Sequence, residues 1–251
     1  MTLRTHPWPA GVPARADLAT DDPGAAATFY GAVLGWTVVG HHPDGSLLLG
    51  VDGAVAAEAG PATTSGWTLS IATTDLDATV AAVTAAGGSV LSGPGDVDDA
   101  GRSAVVADPT GAVVGLWEAG TRIGASWVNA PGGLNWEDLR SSDPALSREF
   151  YAAVFGWTFR ELFDGYAIAA NVDAPHPIGG VGPLWGSAPG WLVYFGVPDV
   201  DAAVRAALAG GGEVVHAAHD SDFGRMAQVR DPWGAGFAVF TPLPGAPQPD
   251  R

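Results

Sequence analysis

The stretch FYGAVLGWT at Phe29–Thr37 returns as FYAAVFGWT at Phe150–Thr158, and it anchors a repeat that runs through the whole chain. Around it, DLATDDPGAAATFYGAVLGWT (Asp17–Thr37) aligns without gaps to DLRSSDPALSREFYAAVFGWT (Asp138–Thr158), with about half the positions identical. The repeat continues in order. WTLSIATTDLDATVAAVTAAGG from Trp67 pairs with WLVYFGVPDVDAAVRAALAGGG from Trp191, and GRSAVVADPTGAVVGLW from Gly101 pairs with GRMAQVRDPWGAGFAVF from Gly224. A chain of 251 residues with 47% hydrophobic residues then divides into two modules of about 120 residues, each large enough to bury a core. The expected boundaries are 8–119 and 134–243 for the modules, 120–133 for the linker and 244–251 for a loose tail.

Each copy reads as strand, helix and several short strands, given twice. The run Val12–Thr20 is β-rich. Asp22-Pro23 then supplies a cap and a proline for the first helical turn, and Gly35 ends the helix. Asp75-Leu-Asp77 opens a second helix that Gly87-Gly88 stops. Strands at Ser103–Ala107 and Val113–Trp117 follow, joined by the DPTG turn. The fold class is therefore α+β, a tandem duplicated module with two β-α-β-β-β units in each copy.

These residues carry a resemblance. The FYxxxxGW phrase after a DP-capped helix, the second helix opening on D-[LV]-D-A, the GR strand and the DPxG turn are similar to the vicinal oxygen chelate superfamily, which includes glyoxalases, ring-cleaving dioxygenases and bleomycin-resistance proteins. The tandem arrangement resembles two-module actinobacterial glyoxalase-like proteins. The resemblance implies a curved mixed sheet around a cavity in each module, with helices outside. It also implies up to four metal-ligand positions on the cavity strands. These fall on Arg15, Glu58, Thr68 and Gly115 in copy one, and on Trp136, about Gly180, Leu192 and Ala238 in copy two. Only Glu58 is a plausible ligand type, and one carboxylate does not hold a divalent ion against water. No metal and no other cofactor is expected. The six histidines do not repair the set. His41-His42 lie in the turn-like HHPDG, His216 and His219 on a strand edge or loop, and His6 and His176 beside prolines, so all six read as exposed or capping.

If those positions point inward, strand alternation brings their neighbours with them. Copy one then lines its cavity with Arg15, Asp17, Thr68, Ser70, Gly115 and Trp117. Copy two lines its own with Trp136, Asp138, Leu192, Tyr194, Gly196, Ala238 and Phe240. Arg15 beside Asp17 reads as an internal pair, whereas Asp138 has no equally evident cation, though Arg140 shares its face. Trp36, Trp67, Trp157 and Trp191 are duplicated and read as packing. Trp136, Trp185 and Trp233 lack counterparts in copy one and read as altered cavity walls.

Composition narrows the function. A net charge of −16 argues against a nucleic-acid partner, and no apolar run is long enough to span a bilayer, so a cytoplasmic protein without membrane contact is expected. The absence of cysteine and lysine removes thiolate and Schiff-base chemistry. The partner expected is a small molecule. The chain is read as a monomer that is an internal pseudo-dimer, with a homodimer as the alternative.

The first functional reading is a metal-independent protein that sequesters or carries a flat, partly aromatic compound of antibiotic-resistance or secondary-metabolite type. The ligand would stack on Trp136 and Tyr194, among Leu192, Phe240 and Trp185, with Arg15, Thr68 and Trp117 in the other cavity. The second is a metal-free lyase, isomerase or cyclase whose general base is Asp138, or Asp17 and Glu58. A metal enzyme with displaced ligands is the third.

Overall fold

Four aspartates start four helices. The side chains of Asp22, Asp75, Asp143 and Asp199 each accept a hydrogen bond from the backbone N–H three residues on, at 2.9–3.0 Å, and such a cap contributes about 1 kcal/mol. In the first and third helices the DP pair also places a proline at the opening turn, where its missing N–H has no partner to lose. Gly35 and Gly156 end the same two helices in the left-handed conformation, with φ of 75° and 69°. The glycine of the GW phrase is thus a stop signal, because a Cβ disfavours that backbone.

The computed structural model describes residues 2–163, 165–171 and 174–243. The tail expected at 244–251 and the side chain of His176 lie outside the described residues. A short strand β1 (Thr2–Leu3) precedes the first module. That module consists of β2 (Pro13–Thr20), α1 (Pro23–Leu34), β3 (Thr37–His41), β4 (Leu47–Val51), β5 (Ala54–Pro61), β6 (Gly66–Thr73), α2 (Leu76–Ala85), β7 (Ser89–Val97), β8 (Gly101–Ala107) and β9 (Val113–Ala119). After β10 (Trp127–Val128), the second consists of β11 (Leu134–Ser141), α3 (Pro144–Phe155), β12 (Thr158–Phe163), β13 (Tyr166–Asn171), β14 (Ala174–Pro183), β15 (Gly190–Gly196), α4 (Val200–Ala209), β16 (Glu213–Asp220), β17 (Gly224–Arg230) and β18 (Gly236–Pro242). Among the described residues no helix is long and apolar enough to cross a membrane.

Each module is one curved, mixed, open sheet. The order is β3-β4-β5-β2-β6-β9-β8-β7 in the first and β12-β13-β14-β11-β15-β18-β17-β16 in the second, where β1 and β10 add to the side. The first strand of each module lies at the centre, parallel to one neighbour and antiparallel to the other. The registers repeat: Asp17 faces Glu58 as Asp138 faces Gly180.

Alternation splits every central strand between two faces. On β2, Ala14, Ala16 and Leu18 enter the main core, and Arg15 and Asp17 stand on the other side. That core is one continuous cluster fed by both modules, with α1 against α4 and α2 against α3. The helices therefore cover the core face of each sheet and leave the concave face for the site.

The duplicated aromatics build this joint. Trp36 donates its indole N–H to the carbonyl of Gly132 at 2.6 Å, and Trp157 donates to that of Gly11 at 2.7 Å. Trp67 donates to the Tyr30 hydroxyl, and Trp191 donates to that of Tyr151, both at 3.1 Å. Residues 120–133 belong to the same core. Ala125, Trp127, Val128 and Ala130 are buried there, and Trp8 donates to the Ala125 carbonyl at 3.0 Å.

Trp233 corrects an expectation. It stands 6.2 Å edge-to-face from Phe29 on α1 of the other module, not in a cavity wall. The DPxG turns cross the joint. Asp231 of one turn meets Tyr30, and Asp108 of the other meets Ser147 at 3.0 Å. Residue 233 therefore faces the partner module's helix.

Candidate functional site

The concave face of module one holds a ring of charges. Arg15 donates to both oxygens of Asp17 at 2.8 Å and to Glu58 at 3.3 Å. Glu58 also accepts from Arg122 at 2.7 Å, and the Ser70 hydroxyl reaches Asp17 at 3.5 Å. Trp117 lies beneath, with the Arg15 guanidinium 4.3 Å and the Arg122 guanidinium 5.9 Å from its ring, a favourable cation–π geometry. Burial pushes the Asp17 carboxyl above its ordinary range, against the pull of the Arg15 charge. Burial also works to lower Arg15, but the Asp17 and Glu58 charges together outweigh it, so its pKa rises.

Two members of this ring escape sequence reasoning. Arg122 follows the last strand, in a segment without alternation that could aim a side chain. His42 reads as exposed from its turn-like surroundings, yet its Nε2 lies 2.8 Å from Arg122 Nη1. Arginine can only donate, so that nitrogen accepts.

Module two replaces most of the charges with neutral donors and keeps one guanidinium, Arg140. Oδ1 of Asp138 accepts from the Trp136 indole at 2.9 Å and from the Tyr166 hydroxyl at 2.8 Å. Oδ2 accepts from the Tyr194 hydroxyl at 2.8 Å and meets Arg140 at 3.5 Å. Four donors fill the four lone-pair directions of the carboxylate, so Asp138 is far better partnered than its sequence neighbours indicate. Tyr166 is the residue that sequence reasoning misses. Gly180, opposite Asp138, has no side chain, and a Cβ there would run into the Tyr166 hydroxyl and Asp138 Oδ1. The space that holds Glu58 in module one holds Tyr166 in module two. Burial, with the Asp138 charge added to it, pushes the Tyr166 and Tyr194 hydroxyls well above the usual phenol range.

Beside this carboxylate lies an apolar cluster separate from the main core. Leu192, Tyr194 and Ala238 are buried, and Trp136, Met226 and Phe240 are half-buried against them. Next to it opens a pocket of about 180 Å³ lined by Arg140, Trp185, Leu192, His216 and Gln228 together with the loop 184–190. Trp185 is 45% exposed and holds φ at 45°, a conformation that bulky residues seldom adopt. Its ring covers the Arg140 guanidinium at 4.5 Å and leans on Tyr166 at 5.8 Å. A wider, shallow groove of about 560 Å³ runs between α1 and β3 past His41. It is lined by no member of either carboxylate network, whereas Arg140 of the module-two network lines the smaller pocket.

In copy one, Thr68, Gly115 and Arg15 stand in or beside the ring with Glu58. In copy two, Trp136, Leu192 and Ala238 meet at the apolar cluster, and Gly180 pairs with Asp138. This donor set does not fit a divalent ion, since arginine, threonine, glycine and leucine supply no anionic or imidazole ligand. Among the described residues no group of three or more His, Asp or Glu could share an ion.

Two α+β modules, each with a polar cluster on one face of a curved mixed sheet, form a duplicated scaffold. The chain belongs to the glyoxalase/bleomycin resistance protein/dioxygenase superfamily: residues 133–239 match that superfamily and residues 16–116 match the glyoxalase-like domain. It is 38% identical over 252 residues to "Putative glyoxylase CFP32" of Mycobacterium bovis, which covers 93% of this chain and 96% of that protein. It is 35% identical to the anthracycline biosynthesis protein DauV of Streptomyces sp. strain C5, over 91% of this chain and 92% of that one. The Mn(II)-bound glyoxalase from Novosphingobium aromaticivorans shares the fold, with a TM-score of 0.69 at 17% identity over 94% of this chain and 83% of that one.

Proposed function

We propose that this protein binds a flat, partly aromatic small molecule on the concave face of module two, without a metal, in a secondary-metabolite setting. The observation that carries this is the apolar cluster of Leu192, Tyr194, Ala238, Trp136, Met226 and Phe240, which stands apart from the core beside an open pocket. A cluster that contributes nothing to the joint between modules, yet keeps half-buried aromatics next to a cavity, suits ring stacking. The anthracycline biosynthesis name of DauV supports the same compound class. At about 180 Å³ the pocket admits one edge of a multi-ring compound, as full drug-sized pockets run to roughly 300 Å³ or more.

The test is titration of tryptophan fluorescence with anthracycline-type compounds, followed by recovery and mass analysis of the compound. Quenching with unmodified recovery, and a loss of about 1–3 kcal/mol on Trp136→Ala, is the expected result. No binding, or binding indifferent to Trp136→Ala, overturns the reading. Chemical alteration of the compound, abolished in Asp138→Asn while binding persists, puts a general-base enzyme in its place.

A further inference from the structure

We infer that the ligand of module two presents an anionic oxygen, a carboxylate or an ionised ring hydroxyl, to Arg140. The inference rests on the binding reading above and gives that ligand its charge. Asp138 is the one acid of this cluster and the obvious seat for a cation, but it is spent: Trp136, Tyr166, Tyr194 and Arg140 occupy both its oxygens. A ligand cation would have to displace a donor already seated there.

Arg140 is in the opposite condition. One nitrogen, Nη2, reaches the Tyr194 hydroxyl at 3.2 Å and Asp138 at 3.5 Å, the second at the far limit of a hydrogen bond. Its Nε is buried and has no hydrogen-bond partner, an arrangement that costs free energy until an acceptor arrives. A guanidinium carries five donors in a flat fork suited to a carboxylate, so capacity remains. The pocket next to it is lined by no Asp or Glu among the described residues, while His216, Gln228 and Ser187 add polar groups. Among the described residues Arg140 is the one formal charge on this lining, and its nearest acid, Asp138 at 3.5 Å, already accepts from Trp136, Tyr166 and Tyr194. Trp185, over the guanidinium at 4.5 Å, holds the fork in place and leaves an aromatic face for a planar ligand.

Three probes of one shape decide the matter: 2-naphthoate, 2-naphthalenemethanol and 2-naphthylmethylammonium, titrated into the full chain by calorimetry near pH 8. Naphthoate should bind about tenfold or more tighter than the ammonium, with the neutral alcohol between them. Arg140→Gln should remove that preference, bringing the naphthoate and the ammonium within about threefold of each other. The wild-type ranking stands by itself if Arg140→Gln fails to fold. Equal binding of all three, or a preference for the ammonium, overturns the anionic assignment and leaves the binding reading intact. Failure of all three to bind overturns both.

Discussion

The hydroxyl of Tyr30, on the first helix of module one, donates to Asp231 of module two at 2.9 Å, across 201 residues of chain. Asp231 is 3% exposed, and Tyr30→Phe leaves one of its oxygens short of a donor in a buried joint. Stability should fall by about 1–3 kcal/mol in denaturant unfolding, as a single transition. Two separate transitions in the wild type, or no loss in the variant, would show that the modules do not depend on this contact.

All four tyrosines of the chain share an elevated pKa. Burial is the largest cause in each, and a neighbouring carboxylate adds to it: Asp231 for Tyr30, Asp108 for Tyr151, and Asp138 for Tyr166 and Tyr194. A phenol whose folded pKa lies above its unfolded value of about 10 contributes fully below that pH, and its contribution is lost as the pH climbs toward the folded value. Tyrosinate absorbance should therefore stay flat through pH 10 in the native protein and appear only as near-ultraviolet circular dichroism collapses. A tyrosine titrating near pH 10 in the folded chain contradicts this.

Asp138→Asn replaces an acceptor oxygen with an amide NH₂ that must face at least one of the donors now held by Asp138. A loss of about 1–3 kcal/mol is expected in the absence of any ligand. An unchanged unfolding midpoint would mean that the carboxylate is dispensable to the resting site.

The metal-free reading has a direct check. Exhaustive chelation should leave both the unfolding midpoint and ligand binding unchanged, and elemental analysis should find no stoichiometric zinc, nickel, iron or manganese. About one tightly held metal per chain would defeat the reading.

Much of this architecture is legible in the residues because its signals are local. DP before a helix, GW after it and D-x-D before the next act within a few residues, and the repeat gives each a second witness. Alternation likewise aims Arg15, Asp17, Trp136 and Asp138 correctly, since a strand leaves only two faces. What escapes depends on contacts between elements. Tyr166 enters the site because Gly180 on the adjacent strand makes room, and Arg122 arrives from a segment with no period. Trp233 misleads because its asymmetry with Thr110 is matched across the joint. Thr110 nears Ser147 at 3.4 Å, and the corresponding residue on α1 is Ala26.

The split of each central strand between joint and cavity has an evolutionary side. Leu18 and Leu139 answer to the partner module, whereas Asp17 and Asp138 answer only to their own concave face. Substitutions on the cavity side can thus rewrite what the face presents, from a charged ring in one half to a phenol-lined carboxylate in the other, while the seam between the halves keeps its shape. Such a molecule can change the chemistry of either concave face through point substitutions without renegotiating its assembly.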